Sequence, residues 1–181
     1  LRKELEMGPD VYDLEFTDHA LTTYILVRQS WLAMNRYAET KLAKVGVTPE
    51  KFLVLWACRD YPGPLIPAEI ARIAHRENQT IAGLLNRMEK EGLVERIPKR
   101  KGNPFTEIKI TTKGDKVLTA ALPVFRSVIS ELLSDMPVQK QKECQGWHRE
   151  LRDKALNRLH LVAEPPAESV TGKPIDLKWE E

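Results

Sequence analysis

Cysteine is scarce in this sequence: Cys58 and Cys144 are the only two in 181 residues. They form neither a CxxC pair nor a spaced framework, so zinc and disulfide scaffolds are not indicated, and both are read as buried thiols. The four histidines, His19, His75, His148 and His160, make no close helical pair, and H-E-x-x-H is absent. No metal and no cofactor is expected. G-x-S-x-G, the P-loop and G-x-G-x-x-G are also missing, and no Ser/His/Asp arrangement is visible, so the chain is not expected to be an enzyme. No apolar run approaches the roughly 20 residues that span a bilayer, and no charged-then-apolar leader is seen. The expectation is a cytoplasmic protein with no membrane partner.

What is present is the balance of an ordinary globular chain, with 42% hydrophobic and 30% charged residues. The length suits one well-buried domain, or a small domain with a dimerisation appendage. The net charge of +2 conceals an uneven distribution, because residues 72 to 116 hold eleven Lys or Arg against six Asp or Glu. Polyanion binding needs positive charge gathered on one surface, and the basic charge here is gathered in one stretch.

Along the chain, residues 1–15 read as an acid-rich flexible arm. Thr17 or Asp18 opens a first helix whose apolar positions, from Leu21 through Trp31 and Tyr37 to Leu42 and Val45, recur at helical spacing until Gly46. Thr48 caps a second helix with Pro49 at its first position. Pro67 opens a short third helix to about Ala74. A fourth runs from Asn78 to about Glu91 over a buried stripe of Ile81, Leu84, Leu85 and Met88, and Gly92 ends it. Leu93–Ile97 and Glu107–Thr111 alternate as short strands, with Ile108 and Ile110 on one face. Between them lies a basic, proline-flanked tip. Thr111 caps a fifth helix expected to bend at Pro123. A sixth follows Pro137, with Cys144, Trp147, Leu151, Ala155, Leu159 and Val162 along one stripe. Residues 164–181, rich in proline and acid, read as an extended or disordered tail.

Two helices followed by a basic hairpin form a winged helix-turn-helix, in a mainly α fold with a small β-hairpin wing. Residues 47–111 make up this DNA-binding lobe, and residues 16–46 and 112–163 a helical dimerisation region. The start of the fourth helix presents Arg76, Asn78, Gln79, Thr80 and Gly83, with Arg87 a turn further on. Asn and Gln pair bidentately with adenine, and Arg with guanine or phosphate. Against this stands the plainer reading that Asn78 merely caps the helix and Arg87 is a solvated face residue. At the wing, Lys99, Arg100 and Lys101, with Asn103, suit a narrow minor groove.

The segments Val47 to Leu55 (VTPEKFLVL), Ala68 to Ala71 (AEIA), Leu84 to Val94 (LLNRMEKEGLV) and Ile110 to Gly114 (ITTKG) resemble, in order and spacing, those of the MarR family of transcription regulators. The resemblance spans about residues 17 to 162. It implies a homodimer in which the first, fifth and sixth helices of two chains interlock, bound to duplex DNA at a pseudo-palindromic operator. It further implies a small aromatic or anionic effector near Tyr24, Arg28, Trp31 and Trp56. An aromatic stripe also serves as core, and Arg28 could instead pair with an acid on the partner chain. Three features depart from the family pattern: Gly102-Asn103-Pro104 in place of an Asp-x-Arg wing turn, His75 where glycine is usual, and Ile66 in place of a polar cap. The expected function is a ligand-responsive repressor. The alternative is a winged-helix protein-interaction module without specific DNA binding.

Overall fold

The computed structural model describes residues 14–98 and 106–159. The tip of the wing, most of the N-terminal arm, the end of the expected sixth helix at Val162 and the C-terminal tail lie outside them. Six α-helices and one antiparallel ribbon make up the described chain: α1 (His19–Leu42), α2 (Pro49–Asp60), α3 (Pro67–Ala74), α4 (Asn78–Lys90), β1 (Val94–Ile97), β2 (Glu107–Ile110), α5 (Thr112–Leu133) and α6 (Val138–Arg158). The chain divides into two compact units between Tyr37 and Ala38, within α1.

Asp18 rather than Thr17 starts α1, its Oδ1 accepting from the N–H groups of Ala20 and Leu21 at 2.8 and 3.3 Å. The helix gives way to a 3₁₀ turn at Ala43–Val45, one turn earlier than the apolar spacing suggested. In the first unit this helix buries no residue, and Tyr24 and Trp31 are 67% and 59% exposed.

The core belongs to the second unit. Thr48 and Pro49 start α2 as their residue types dictate, with the Thr48 hydroxyl accepting from the Lys51 N–H. The helix buries Phe52, Val54, Leu55 and Ala57, and Phe52 meets Phe125 of α5 with ring centroids 4.6 Å apart. From α4 the predicted stripe of Ile81, Leu84, Leu85 and Met88 enters the same core, joined by Ile70, Leu93, Val94, Ile108 and Leu118. The strands pair Val94 with Ile110 and Ile97 with Glu107. Ile108 also donates its N–H to the Leu65 carbonyl at 2.8 Å, which fastens the ribbon to the segment ahead of α3.

Three helical segments close in the same way. At Gly46, His75 and Gly92 the backbone is left-handed, and paired N–H groups return to the last turn. After α4, Gly92 donates to Glu89 and Leu93 to Met88, both at 2.9 Å. After α3 the left-handed residue is His75, with φ 48°, which confirms that a side chain occupies a position that favours glycine.

Thr111 locks α5 onto this end. Its hydroxyl accepts from the Gly114 N–H at 3.0 Å and donates to the Gly92 carbonyl at 2.7 Å. The helix runs unbroken through Pro123, whose ring is exposed. The sixth helix buries no residue along its 21 positions, and among the described residues its stripe is left largely uncovered, with Cys144 half-buried and Trp147, Leu151, Ala155 and Leu159 exposed.

Candidate nucleic-acid interface

Helix α4 begins without a side-chain cap. Glu77, not Asn78, occupies the capping position, and its carboxylate makes no capping bond. Asn78 stands one residue further, so the plainer reading of it as the cap does not hold. Among the described residues no side chain takes the opening N–H groups of the helix, and the positive end of the helix dipole lies behind them.

Arg76, Asn78, Gln79, Thr80 and Arg87 are all exposed, and Gly83 is half-buried. At 100° per residue, Gln79, Gly83, Asn86 and Lys90 form the ridge opposite the buried stripe. Thr80 and Arg87 flank this ridge on one side, Ala82 and Glu89 on the other. Among the described residues, no atom outside the immediate helix backbone would lie within 4 Å of a Cβ at Gly83, so that position is open. Lys99, Arg100, Lys101 and Asn103 lie outside the described residues.

The charge of the ridge is shaped by partners from other elements. Helix α4 and its end carry Glu89 and Glu91, which would oppose a polyanion. Glu91 is taken by Lys51 of α2 at 2.6 Å, and Glu89 by Arg96 of β1 at 3.0 Å. Arg76, Arg87 and Lys90 have no ion-pair partner among the described residues. With these two acids paired, Arg76, Arg87 and Lys90 outnumber Glu77, the acid at the start of α4 that has no ion-pair partner among the described residues. Sequence reasoning singled out Arg76 and Arg87 but missed Asn86, Lys90 and Arg96. The ridge spacing 79, 83, 86, 90 would have pointed to the first two. Arg96 carried no comparable signal, because its role depends on the strand folding back beside the helix.

Of the remaining candidates, Tyr24, Arg28 and Trp31 are exposed on α1 in the first unit. Trp56 lies in the second unit, packed against the core, with its indole Nε1 buried and without an acceptor among the described residues. Cys58 also packs against that core, and burial pushes its thiol up to about 12. The Tyr61 hydroxyl donates to Glu69 at 3.4 Å, and burial together with that carboxylate raises its pKa. Among the described residues no three His, Cys, Asp or Glu side chains gather as a metal ion requires.

A three-helix core with an antiparallel ribbon, in which the second helix of a short helical pair turns a polar, cationic ridge outward, is the architecture of winged helix-turn-helix DNA-binding proteins. Residues 45–102 match the profile of the MarR family. The transcriptional regulator HosA of Escherichia coli O127:H6 is 31% identical over 96 residues, covering 53% of this chain and 70% of that regulator. Among solved structures, an organohalide-sensing transcriptional regulator in its 2,4-dichlorophenol-bound form superposes with a TM-score of 0.70 at 22% identity, covering 86% of this chain and 91% of that one. The S. aureus MepR–DNA complex gives 0.68 at 21% identity, covering 76% and 99%. The chain belongs to the MarR family, and its function is DNA-binding transcription regulation. Among the described residues no single helix is long and apolar enough to cross a membrane.

Proposed function

We propose that this chain is a cytoplasmic, ligand-responsive repressor that binds a pseudo-palindromic operator as a homodimer. The observation that carries the reading is the outward face of α4, where Gln79, Thr80, Gly83 and Arg87 follow an uncapped helix start flanked by Arg76 and Asn78, while Glu89 and Glu91 near its far end are paired by Arg96 and Lys51. Gln79 and Asn78 offer an N–H donor and a C=O acceptor that complement the N7 acceptor and N6–H donor of adenine in the major groove, and Arg76 and Arg87 reach guanine or phosphate. Lys99, Arg100, Lys101 and Asn103 supply the minor-groove contact. The division of labour is a DNA-binding lobe at 47–111 and dimerisation segments at 16–46 and 112–163.

Selection of duplexes from a random-sequence library by the purified chain tests this directly. Enrichment of two inverted half-sites about one helical turn, roughly 34 Å, apart is the expected outcome. Gln79→Ala should then relax preference at one position per half-site by about 1–3 kcal/mol, and joint replacement of Arg100 and Lys101 by Ala should weaken all duplexes alike and flatten the salt dependence. Affinity that ignores salt and sequence would instead favour a protein-docking module.

For the effector, the buried Nε1 of Trp56, unpartnered among the described residues, supports a ligand bearing an acceptor oxygen, such as a phenol or carboxylate. Tyr24, Arg28 and Trp31 are the further candidates. The organohalide-sensing regulator, which binds 2,4-dichlorophenol, suggests the compounds to try first. Quenching of tryptophan fluorescence by such a compound, together with a weakened DNA titration, is expected, with a coupling of about 1–3 kcal/mol. Trp56→Phe should abolish both by removing the donor, and Arg28→Ala should weaken anionic ligands only.

A further inference from the structure

We infer that Arg96 is a positioning residue for DNA recognition: without touching DNA, it sets the pitch of the β1–β2 ribbon on the recognition helix α4. This rests on the DNA-binding reading above. The guanidinium of Arg96 is half-buried and grips two side chains one turn apart on α4, donating from Nη1 to Glu89 Oε2 at 3.0 Å and from Nη2 to Asn86 Oδ1 at 2.6 Å. A planar fork engaged at both prongs fixes an angle as well as a distance, which a single ammonium does not.

The grip matters because few other links join the two elements. Apart from the short turn at Gly92 and the apolar contacts of Leu93 and Val94 in the core, Arg96 is the described bridge from the ribbon to the solvent side of α4. The ribbon's opposite edge is held to the Leu65 carbonyl, so Arg96 and Leu65 anchor it from two directions. A DNA-binding surface made of a helix and a ribbon reaches adjacent grooves only when their angle is set beforehand. If it is not, ordering that angle subtracts from the affinity.

The clasp also decides what Asn86 offers. Its Oδ1 is held by Arg96, so the amide N–H groups are the side of the carboxamide free to turn outward. Asn86 therefore presents a donor to a phosphate or to an acceptor on a base edge. It does not present the donor–acceptor pair that adenine requires.

The test compares Arg96→Ala, Arg96→Lys, Asn86→Ala and the Asn86→Ala/Arg96→Ala double variant, each titrated with the duplex selected by the unmodified chain and with a scrambled duplex. If Arg96 positions, Lys keeps the charge but loses the fork. Both Arg96 variants should then lose about 5- to 50-fold in affinity for the selected duplex. Binding to the scrambled duplex and the salt slope should be unchanged. The double variant should lose less than the two single losses multiplied together, since the clasp has been removed twice and only Asn86's own outward contact is lost in addition. Three results would overturn the inference: Arg96→Lys binding like the unmodified chain, Arg96→Ala flattening the salt slope by about one counterion as a phosphate contact would, or no loss in any variant. Where Arg96→Ala does not fold, Arg96→Lys and Asn86→Ala decide by the same ratio of selected to scrambled affinity. Should the unmodified chain enrich no sequence, the DNA-binding reading itself falls and takes this inference with it. That outcome is distinct from clasp variants that bind normally.

Discussion

At the scale of single residues, two positions carry testable consequences for stability. His75 adopts φ 48° to end α3, where its N–H returns to Arg72 and that of Arg76 to Ala71. A left-handed non-glycine residue costs about 1–2 kcal/mol, part of which glycine would give back through its freer unfolded chain. His75→Gly is therefore expected to raise stability by about 1 kcal/mol, and His75→Val, β-branched and worse suited to this region, to lower it. Urea unfolding of the three proteins checks the order. Cys58 is the second case. Burial lifts its thiol from the usual 9.0 to about 12. Below pH 9 the proton is bound in both folded and unfolded chains, and the stabilisation is complete. Between about 9 and 12 only the unfolded chain releases it, so stability falls as pH rises through that window. The raised Tyr61 adds a loss of the same sign. Cys58→Ala should flatten the alkaline slope of the unfolding free energy, and native Cys58 should resist alkylation at pH 8 until the chain is unfolded.

At the scale of elements, the recognition helix is held at its far end by the start of α5. A Cβ on Gly114 would run into the Leu93 carbonyl oxygen, backbone that no side-chain rotation clears, and would also crowd Ile110 Cγ1 at 2.9 Å. Thr111 and Lys113 complete the junction, Lys113 donating to the Glu91 carbonyl at 2.7 Å. Gly114→Ala is expected to destabilise by roughly 2 kcal/mol or more, because backbone must move to admit the methyl group. The same shift would reach α4 through Leu93, whose N–H holds the Met88 carbonyl. Differential scanning calorimetry of Gly114→Ala beside Gly83→Ala checks this. The second variant fills open space in a helix interior and should gain about 0.5–1 kcal/mol.

The element boundaries were largely legible in the sequence, because the signals that set them are local. Thr48-Pro49, Pro67, Gly92 and Thr111 act on backbone groups within four residues, and each stands where its type predicted. The exception at the start of α4 has the same origin. Asn78 and Glu77 both precede the apolar stripe, and the backbone places Glu77 at the capping position.

At the scale of the whole molecule, the unburied apolar surface is the main fact. Leu21, Tyr24, Leu26, Trp31 and Leu32 are exposed on α1, and Leu132, Val138, Trp147, Leu151 and Leu159 on the last two helices. Patches of this kind mark association surfaces, and two chains are expected to cover them mutually. Sedimentation equilibrium should return twice the 20.7 kDa chain mass at micromolar concentration. Trp147→Glu should produce monomer or loss of fold, and a stable folded monomer of the unmodified chain would refute the expectation.

By itself the sequence determined the order of the helices, the buried stripe of α4, the ribbon and the family, since each follows from periodicity, caps and turn residues that act over a few positions. It determined as well that positive charge gathers between Arg72 and Lys116. Only the tertiary structure decided which of those charges remain available. Glu89 and Glu91 are silenced by Arg96 and Lys51, partners 7 and 40 positions away in the chain. The physical reason is reach: caps and periodicity act within one turn, whereas an ion pair requires two side chains to meet within about 4 Å, and for residues on different elements only packing brings them there.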